Sequence, residues 1–254
     1  MPSYDSVAKY YDVAQAHSID YRAETERMDA VLRAHNVETV FDVACGTGPH
    51  VIELAKLGYQ CVGQDLSPGM VKVAREKAQA QGLEIEFVVG DMLTFSGARR
   101  FDAVLGLYAL SVLDGKGFAA AVSSARRALR PGGVFFFNVP NLEAQGPFPP
   151  GVNPPPVLFL SAAVNRGAVK VVRFNNLAIQ DPLWKITSIY LIEDQGQTQL
   201  SICDDTVRRR RLQDVKAVLD ENIFEFESVV YQDAMGYSQW DMHICAIAKR
   251  TTWQ

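Results

Sequence analysis

The run Thr39-Val40-Phe41-Asp42-Val43-Ala44-Cys45-Gly46-Thr47-Gly48 constrains this chain more than any other stretch, because a short apolar strand breaks at once into glycines and then into a helical segment. Backbone that turns so tightly at the end of a buried strand is built to approach a ligand closely. Nineteen residues beyond Gly46, a second apolar run, Gln60-Cys61-Val62-Gly63-Gln64, ends in Asp65. A glycine turn and an acid at that spacing are how a βαβ unit holds a nucleoside, with the loop against the ligand and the carboxylate on two ribose hydroxyls. A dinucleotide fingerprint requires a third glycine, and Val51 stands in its place, so a pyrophosphate ligand is the weaker reading.

Helix signals surround these strands in the order a parallel sheet needs. Met28, Val31 and Leu32 recur at helical spacing within 20–35, and 49–57 reads as a helix closed by Gly58. Ser67 caps the next helix, with Pro68 at its first position and Gly82 at its end. The segment 118–129 reads as another helix, ended by Pro131-Gly132-Gly133, and the unbroken apolar run 134–139 suits a strand buried on both faces. A helix over 212–221 and strands over 225–231 and 243–249 complete the pattern.

Four ordered segments carry a resemblance. Asp42-Val43-Ala44-Cys45-Gly46-Thr47-Gly48, Gly63-Gln64-Asp65-Leu66-Ser67-Pro68-Gly69-Met70, Val88-Val89-Gly90-Asp91-Met92, and the pair Arg100–Tyr108 with Leu129–Asn138 together resemble class I S-adenosylmethionine-dependent methyltransferases over about residues 4 to 140. The resemblance implies an α/β fold: a doubly wound, Rossmann-like, seven-stranded and mostly parallel sheet with an antiparallel final hairpin. It also implies a division into an N-terminal helical cap segment at 1–36, a donor-binding core at 37–140 and 207–254, and a small antiparallel β cap insertion at 141–206. Within that insertion, strands are expected over 169–174, 184–193 and 199–203, after the proline-rich crossing 146–156. That crossing holds Asn153-Pro154-Pro155-Pro156, which lies too late in the chain for the amine-methylating motif it superficially matches and reads as a stiff extended connection.

The same resemblance implies S-adenosylmethionine as cofactor and assigns residues to it. The glycine turn, Gly46 and Gly48, would lie against its methionine part, with Arg22 near the carboxylate and the backbone of Ala44 and Leu107 facing the ammonium. Asp65 would accept from the ribose, Leu66 and Met92 would sandwich the adenine, Asp91 would accept from its amino group, and Met70 joins the same set. Tyr11 would lie across the sulfonium, a cation–π contact worth about 0.5–2 kcal/mol. Tyr108, Asn138, Tyr237 and His243 are the candidates for the acceptor pocket. Asp42 is read as structural, bonding the amides of its own loop, and His50 as a capping or packing histidine at the start of its helix. No catalytic base is nominated, and no residue spacing suggests a metal site.

The expected reaction is methyl transfer to a small-molecule acceptor, first an amine nitrogen and next a hydroxyl oxygen, by in-line displacement without a metal. The N-terminal Tyr-Asp segment, the donor core and the insertion together look most like glycine N-methyltransferase-related and nucleotide-sugar amine methyltransferases. A non-catalytic S-adenosylmethionine-binding module and an NAD-dependent oxidoreductase are the other classes. A formal net charge of −4 over 254 residues gives no general attraction for phosphate backbones, so nucleic acid is not expected as a partner. The run Arg208-Arg209-Arg210-Arg211, flanked by Asp204, Asp205 and Asp214, reads as a strand end and helix entry. Four scattered cysteines and the lack of a long apolar run lead to the expectation of a reduced, cytoplasmic protein with no membrane partner, and a homodimer is admitted.

Overall fold

The computed structural model describes residues 4–15, 19–95, 97, 100–143, 157–180, 182–231 and 241–248. In chain order, a 3-10 turn Tyr4–Ser6 leads to helices α1 (Ala8–Gln15) and α2 (Tyr21–Ala34), then β1 (Thr39–Asp42), α3 (Pro49–Lys56), β2 (Gln60–Asp65), α4 (Pro68–Ala80), β3 (Glu86–Val89) and β4 (Phe101–Gly106). A second 3-10 turn, Leu110–Val112, precedes α5 (Gly115–Ala128) and β5 (Leu129–Pro140). Strands β6 (Val157–Arg166), β7 (Val169–Gln180), β8 (Leu183–Asp194) and β9 (Gln197–Arg208) follow. The chain closes with α6 (Leu212–Glu221), β10 (Phe224–Tyr231) and β11 (Asp241–Ala248).

Seven strands form one sheet in the order β10-β11-β5-β4-β1-β2-β3, in which β11 alone runs against its neighbours β5 and β10. Chain order reverses between β1 and β4, so the C-terminal ends of those strands open the crevice where open α/β sheets bind ligands. The expected caps form: Asp20, Ser67 and Asp114 each accept a backbone N–H in the first turn of α2, α4 and α5. Helix α5 starts three residues before the sequence expectation because Asp114 takes the capping position and admits Gly115-Lys116-Gly117 into the helix. Buried Phe135, Phe137, Val134 and Val139 of β5 pack between helices on both faces, as the unbroken apolar run requires.

The insertion holds four antiparallel strands, β6-β7-β8-β9, where the sequence pattern had suggested three. The additional strand, β6, begins directly after the prolines and alternates weakly, since Leu158 and Leu160 project to solvent while Ala162 is buried. The other three are each longer than their apolar runs, because paired backbone extends through polar residues such as Asn175, Asn176 and Thr187. One face of this sheet covers α1, with Val171, Tyr190, Ile192 and Cys203 packed against Val7 and Ala14. The other face leaves Leu158, Leu160, Leu191, Leu200 and Ile202 exposed.

The N-terminal segment bridges the two sheets. Lys9 and Tyr10 meet Asp194 at the β8 end, and the Tyr4 hydroxyl donates to Asp205 of β9. On the other side, Thr47 Oγ1 donates to Asp12 Oδ1 at 2.5 Å, and Lys77 pairs with the same carboxylate. The arginine run does what its flanks suggest. Arg208 ends β9, Arg209 is buried and donates to the Asn141 carbonyl, Arg210 donates to the Leu113 carbonyl, and Arg211 precedes α6. Among the described residues, no helix is long and apolar enough to cross a membrane.

Candidate active site

A cavity of about 560 Å³ opens at the C-terminal ends of β1, β2 and β4. Its floor is the loop that leaves β1. Gly46 adopts φ 55°, a left-handed conformation that suits glycine, and a Cβ built there would meet nothing within 4 Å. That open space is the cavity itself, so the backbone at Gly46 is presented bare to whatever lies there. Gly48 is different. It also has a positive φ, 76°, but a Cβ there would stand 2.9 Å from the Phe87 ring and 3.1 Å from Ala74, so this glycine serves the close packing of α3 on the sheet. It does not line the cavity.

Asp65 ends β2 beside this loop. Its Oδ2 accepts from the Gly46 N–H at 2.8 Å and its Oδ1 from the Ser67 N–H at 2.9 Å. The carboxylate lines the cavity with both oxygens anchored by backbone amides. Burial raises its pKa, against the lowering influence of the amides from Ser67 and Gly46. Half-exposed Leu66 follows it along the wall. Asp91 and Met92 line the neighbouring stretch after β3, where Asp91 Oδ1 takes the Leu93 N–H at 2.9 Å and the rest of its carboxylate remains for a ligand.

Ala44, Met70, Leu107, Tyr11 and Tyr108 also line the cavity, so ten of the fifteen residues singled out from the sequence come together there: Tyr11, Ala44, Gly46, Asp65, Leu66, Met70, Asp91, Met92, Leu107 and Tyr108. Burial pushes the Tyr11 hydroxyl up to about 12, which keeps it a neutral phenol. Arg22 does not join the group. It projects from the solvent side of α2 and pairs with Glu26 one turn on at 3.0 Å, because the inward stripe of that helix is taken by Thr25, Met28 and Leu32. Asn138 lies beneath the wall, 3% exposed, and its Oδ1 accepts from the Tyr108 N–H at 2.6 Å. The backbone of His243 pairs with Asn138 across β5 and β11, while Tyr237 lies outside the described residues.

Asp42 behaves as expected, accepting from the Ala44 N–H at 3.1 Å, and burial pushes its pKa up to about 6. His50 proves to be more than a cap. Its ring lies in the cavity wall, edge-on to Tyr21 and stacked at 6.4 Å on Tyr108, and its Nε2 lies 2.9 Å from Glu24 Oε2. The Tyr108 hydroxyl donates to the other oxygen of Glu24. Sequence reasoning also missed Tyr4, Asp5, Tyr21, Asp204, Asp205 and Thr206 as lining residues. The spacing of Tyr21 and Glu24 on one helix face was available as a signal. Nothing local marked Asp204 to Thr206, which reach the cavity only through the pairing of β9 with β8. Asp5 Oδ1 accepts from Ser67 Oγ at 2.5 Å and Gly69 N at 2.7 Å, tying the N-terminal turn to the start of α4.

The seven-stranded sheet with its reversed last strand and its added antiparallel sheet is the fold of solved S-adenosylmethionine-dependent methyltransferases. Residues 40–133 match the family described as a methyltransferase domain. Within curated proteins, the chain is 36% identical over 105 residues to a dTDP-3-amino-3,6-dideoxy-alpha-D-glucopyranose N,N-dimethyltransferase of Streptomyces fradiae, covering 40% of each chain. It is 36% identical over 99 residues to a ubiquinone biosynthesis O-methyltransferase of Methylocella silvestris, covering 38% of each. The chain spans about two fifths of the length of such relatives. In overall fold it is similar to the sugar N-methyltransferase KedS8 from a Streptoalloteichus species, with a TM-score of 0.75 at 24% identity over 95% of this chain and 93% of that one.

Proposed function

We propose that this protein is a methyltransferase that uses S-adenosylmethionine to methylate an amine nitrogen of a small molecule. Bound in the cavity, that cofactor would supply a methyl group already activated on a sulfonium, so the chain has mainly to align the acceptor and exclude water. Gly46, Ala44 and Leu107 would offer backbone to its amino acid part, Asp65 would take the ribose hydroxyls, and Leu66, Met92 and Asp91 would hold the adenine. Tyr11 would face the sulfonium.

The observation that carries the amine reading is the character of the wall beyond the donor residues. Asp204 and Asp205 enter from β9, and the rings of Tyr4, Tyr11 and Tyr21 lie nearby. Among the described lining residues there is no lysine or arginine. Carboxylates and tyrosine faces favour an acceptor that arrives as a cation. The relatives that methylate amino sugars, and a solved amino pentose methyltransferase of similar fold with S-adenosylmethionine bound, support the same reading. Residues 141–206 would then serve as the cap over the acceptor. The exposed apolar stripe Leu158, Leu160, Leu191, Leu200 and Ile202 supports the expectation of a homodimer through the outer face of that sheet.

The test is turnover. The protein is incubated with S-adenosylmethionine and a panel of amines and matched alcohols, and S-adenosylhomocysteine release is measured. Methylation confined to amines supports the reading. Methylation of alcohols alone replaces it with the O-methyl reading, and donor binding without turnover on either panel would leave a binding module.

A further inference from the structure

The methylation of an amine poses a problem that alignment alone does not solve. At neutral pH a typical alkyl amine is protonated, and an ammonium has no lone pair with which to attack. The wall of the cavity contains a group suited to removing that proton, and it comes from three separate elements.

Tyr108 is the second residue after β4, and it holds φ 57°, a conformation uncommon for any residue with a Cβ. Such a backbone persists where its surroundings enforce it. Here Asn138, buried under the wall, takes the Tyr108 N–H at 2.6 Å. The outcome is a tyrosine that lines the cavity, is 40% exposed, and sends its hydroxyl back to Glu24 of α2. The second oxygen of Glu24 is held at 2.9 Å by His50, whose ring stacks on that of Tyr108. Glu24 is thus a carboxylate set behind the wall, and Tyr108 is its contact with the contents of the cavity.

Resting on the amine reading above, we infer that Tyr108 is the catalytic residue that relieves the acceptor of its proton, with Glu24 as the sink and His50 and Asn138 as positioning residues. The proton on the acceptor nitrogen passes to the Tyr108 oxygen as the hydroxyl proton passes to Glu24. The freed lone pair forms the new N–C bond while the bond from methyl carbon to sulfur breaks and its electron pair stays on sulfur. One proton leaves the acceptor and one arrives on Glu24, so charge and atoms balance without another reactant. The groups that face this unit are Tyr21 from α2, Asp42 from β1 and His50 from α3. Burial raises Tyr21 and holds it neutral, and Asp42 titrates at about 6, so neither changes charge in the alkaline range where the acceptor does.

The experiment compares Tyr108→Phe and Glu24→Gln with wild type on an amine that wild type methylates, from pH 7 to pH 9.5. A general base contributes about 100-fold or more to the chemical step. Both variants are expected to lose about 100-fold in kcat/KM at pH 7 and to recover to within about tenfold at pH 9.5, where a far larger share of the acceptor is neutral unaided. Affinity for S-adenosylhomocysteine, measured by calorimetry, is expected to stay within threefold of wild type and to report intact folding. In protein labelled with 13C at tyrosine Cζ, the Tyr108 resonance, identified by its loss in Tyr108→Phe, should move in Glu24→Gln. A deficit that is absent, or constant across pH, or a Tyr108 resonance indifferent to Glu24, overturns the inference while leaving amine methylation standing. Absence of amine turnover by wild type overturns both.

Discussion

Replacement of Asp65 by alanine isolates the contact on which donor recognition would depend. The carboxylate is anchored by the amides Gly46 N at 2.8 Å and Ser67 N at 2.9 Å, and is proposed to take two ribose hydroxyls. A hydrogen bond to a charged group contributes about 1.5–3 kcal/mol net, so the loss of two amounts to about 3 kcal/mol at the lower end. At about 1.4 kcal/mol per tenfold, that predicts binding weakened about 100-fold, and water entering the open cavity should moderate it to no less than tenfold. Asp65→Asn keeps one acceptor oxygen and should fall between alanine and wild type. Isothermal titration with S-adenosylhomocysteine reads the affinity, and circular dichroism with thermal melting checks that the Gly46 loop survives. Arg22→Ala is the control, since its side chain is engaged with Glu26 outside the cavity, and its affinity should equal wild type. Unchanged affinity in a folded Asp65→Ala protein would refute the assignment, as would a loss in Arg22→Ala as large as that in Asp65→Ala.

Other consequences follow from packing and charge. Gly63→Ala places a Cβ 2.6 Å from the Phe87 ring and 2.9 Å from Cys45 Sγ; the overpacking should cost about 1–3 kcal/mol in urea unfolding with an unchanged m-value. Asp42 has its folded pKa raised from 3.8 to about 6 by burial, so the folded chain binds more protons than the unfolded one between those values, and stability from this group is lost as pH rises through that window. Asp42→Asn should remove that loss, gaining on wild type by up to about 3 kcal/mol between pH 4 and pH 6.5, and a flat difference in melts across that range would contradict it. If the outer face of the second sheet joins two copies, the double substitution Leu200→Glu with Ile202→Glu should halve the mass seen by light scattering. An unchanged mass would remove that face from consideration.

Much of the cavity wall along β1, β2 and β3 was legible in the sequence because each of its groups sits within a few residues of a strand end. A strand that must be buried, a glycine that must turn and an acid that must stop at the sheet edge are local demands, and Gly46, Asp65, Leu66, Asp91 and Met92 all obey them. The alternation of helix and strand signals likewise pointed to a parallel sheet, since hydrophobic period and capping chemistry act over one or two turns of chain, whereas the reversed last hairpin came from the resemblance alone. Arg22 escaped that logic, since helical rotation carries it to the solvent side, where it pairs with Glu26.

The opposite wall of the cavity belongs to tertiary structure. Asp205 shares the inner face of β9 with Cys203 because a register of twelve paired residues between β8 and β9 puts it there, and a slip of one would turn it to the outer face. Glu24, His50 and Tyr108 lie on α2, α3 and the loop after β4, and no local pattern relates them; they meet because the sheet order sets α2 and α3 side by side over the end of β4. Periodicity and turn chemistry are written in neighbours along the chain, whereas a hydrogen bond across 84 residues is created only when separate elements have docked.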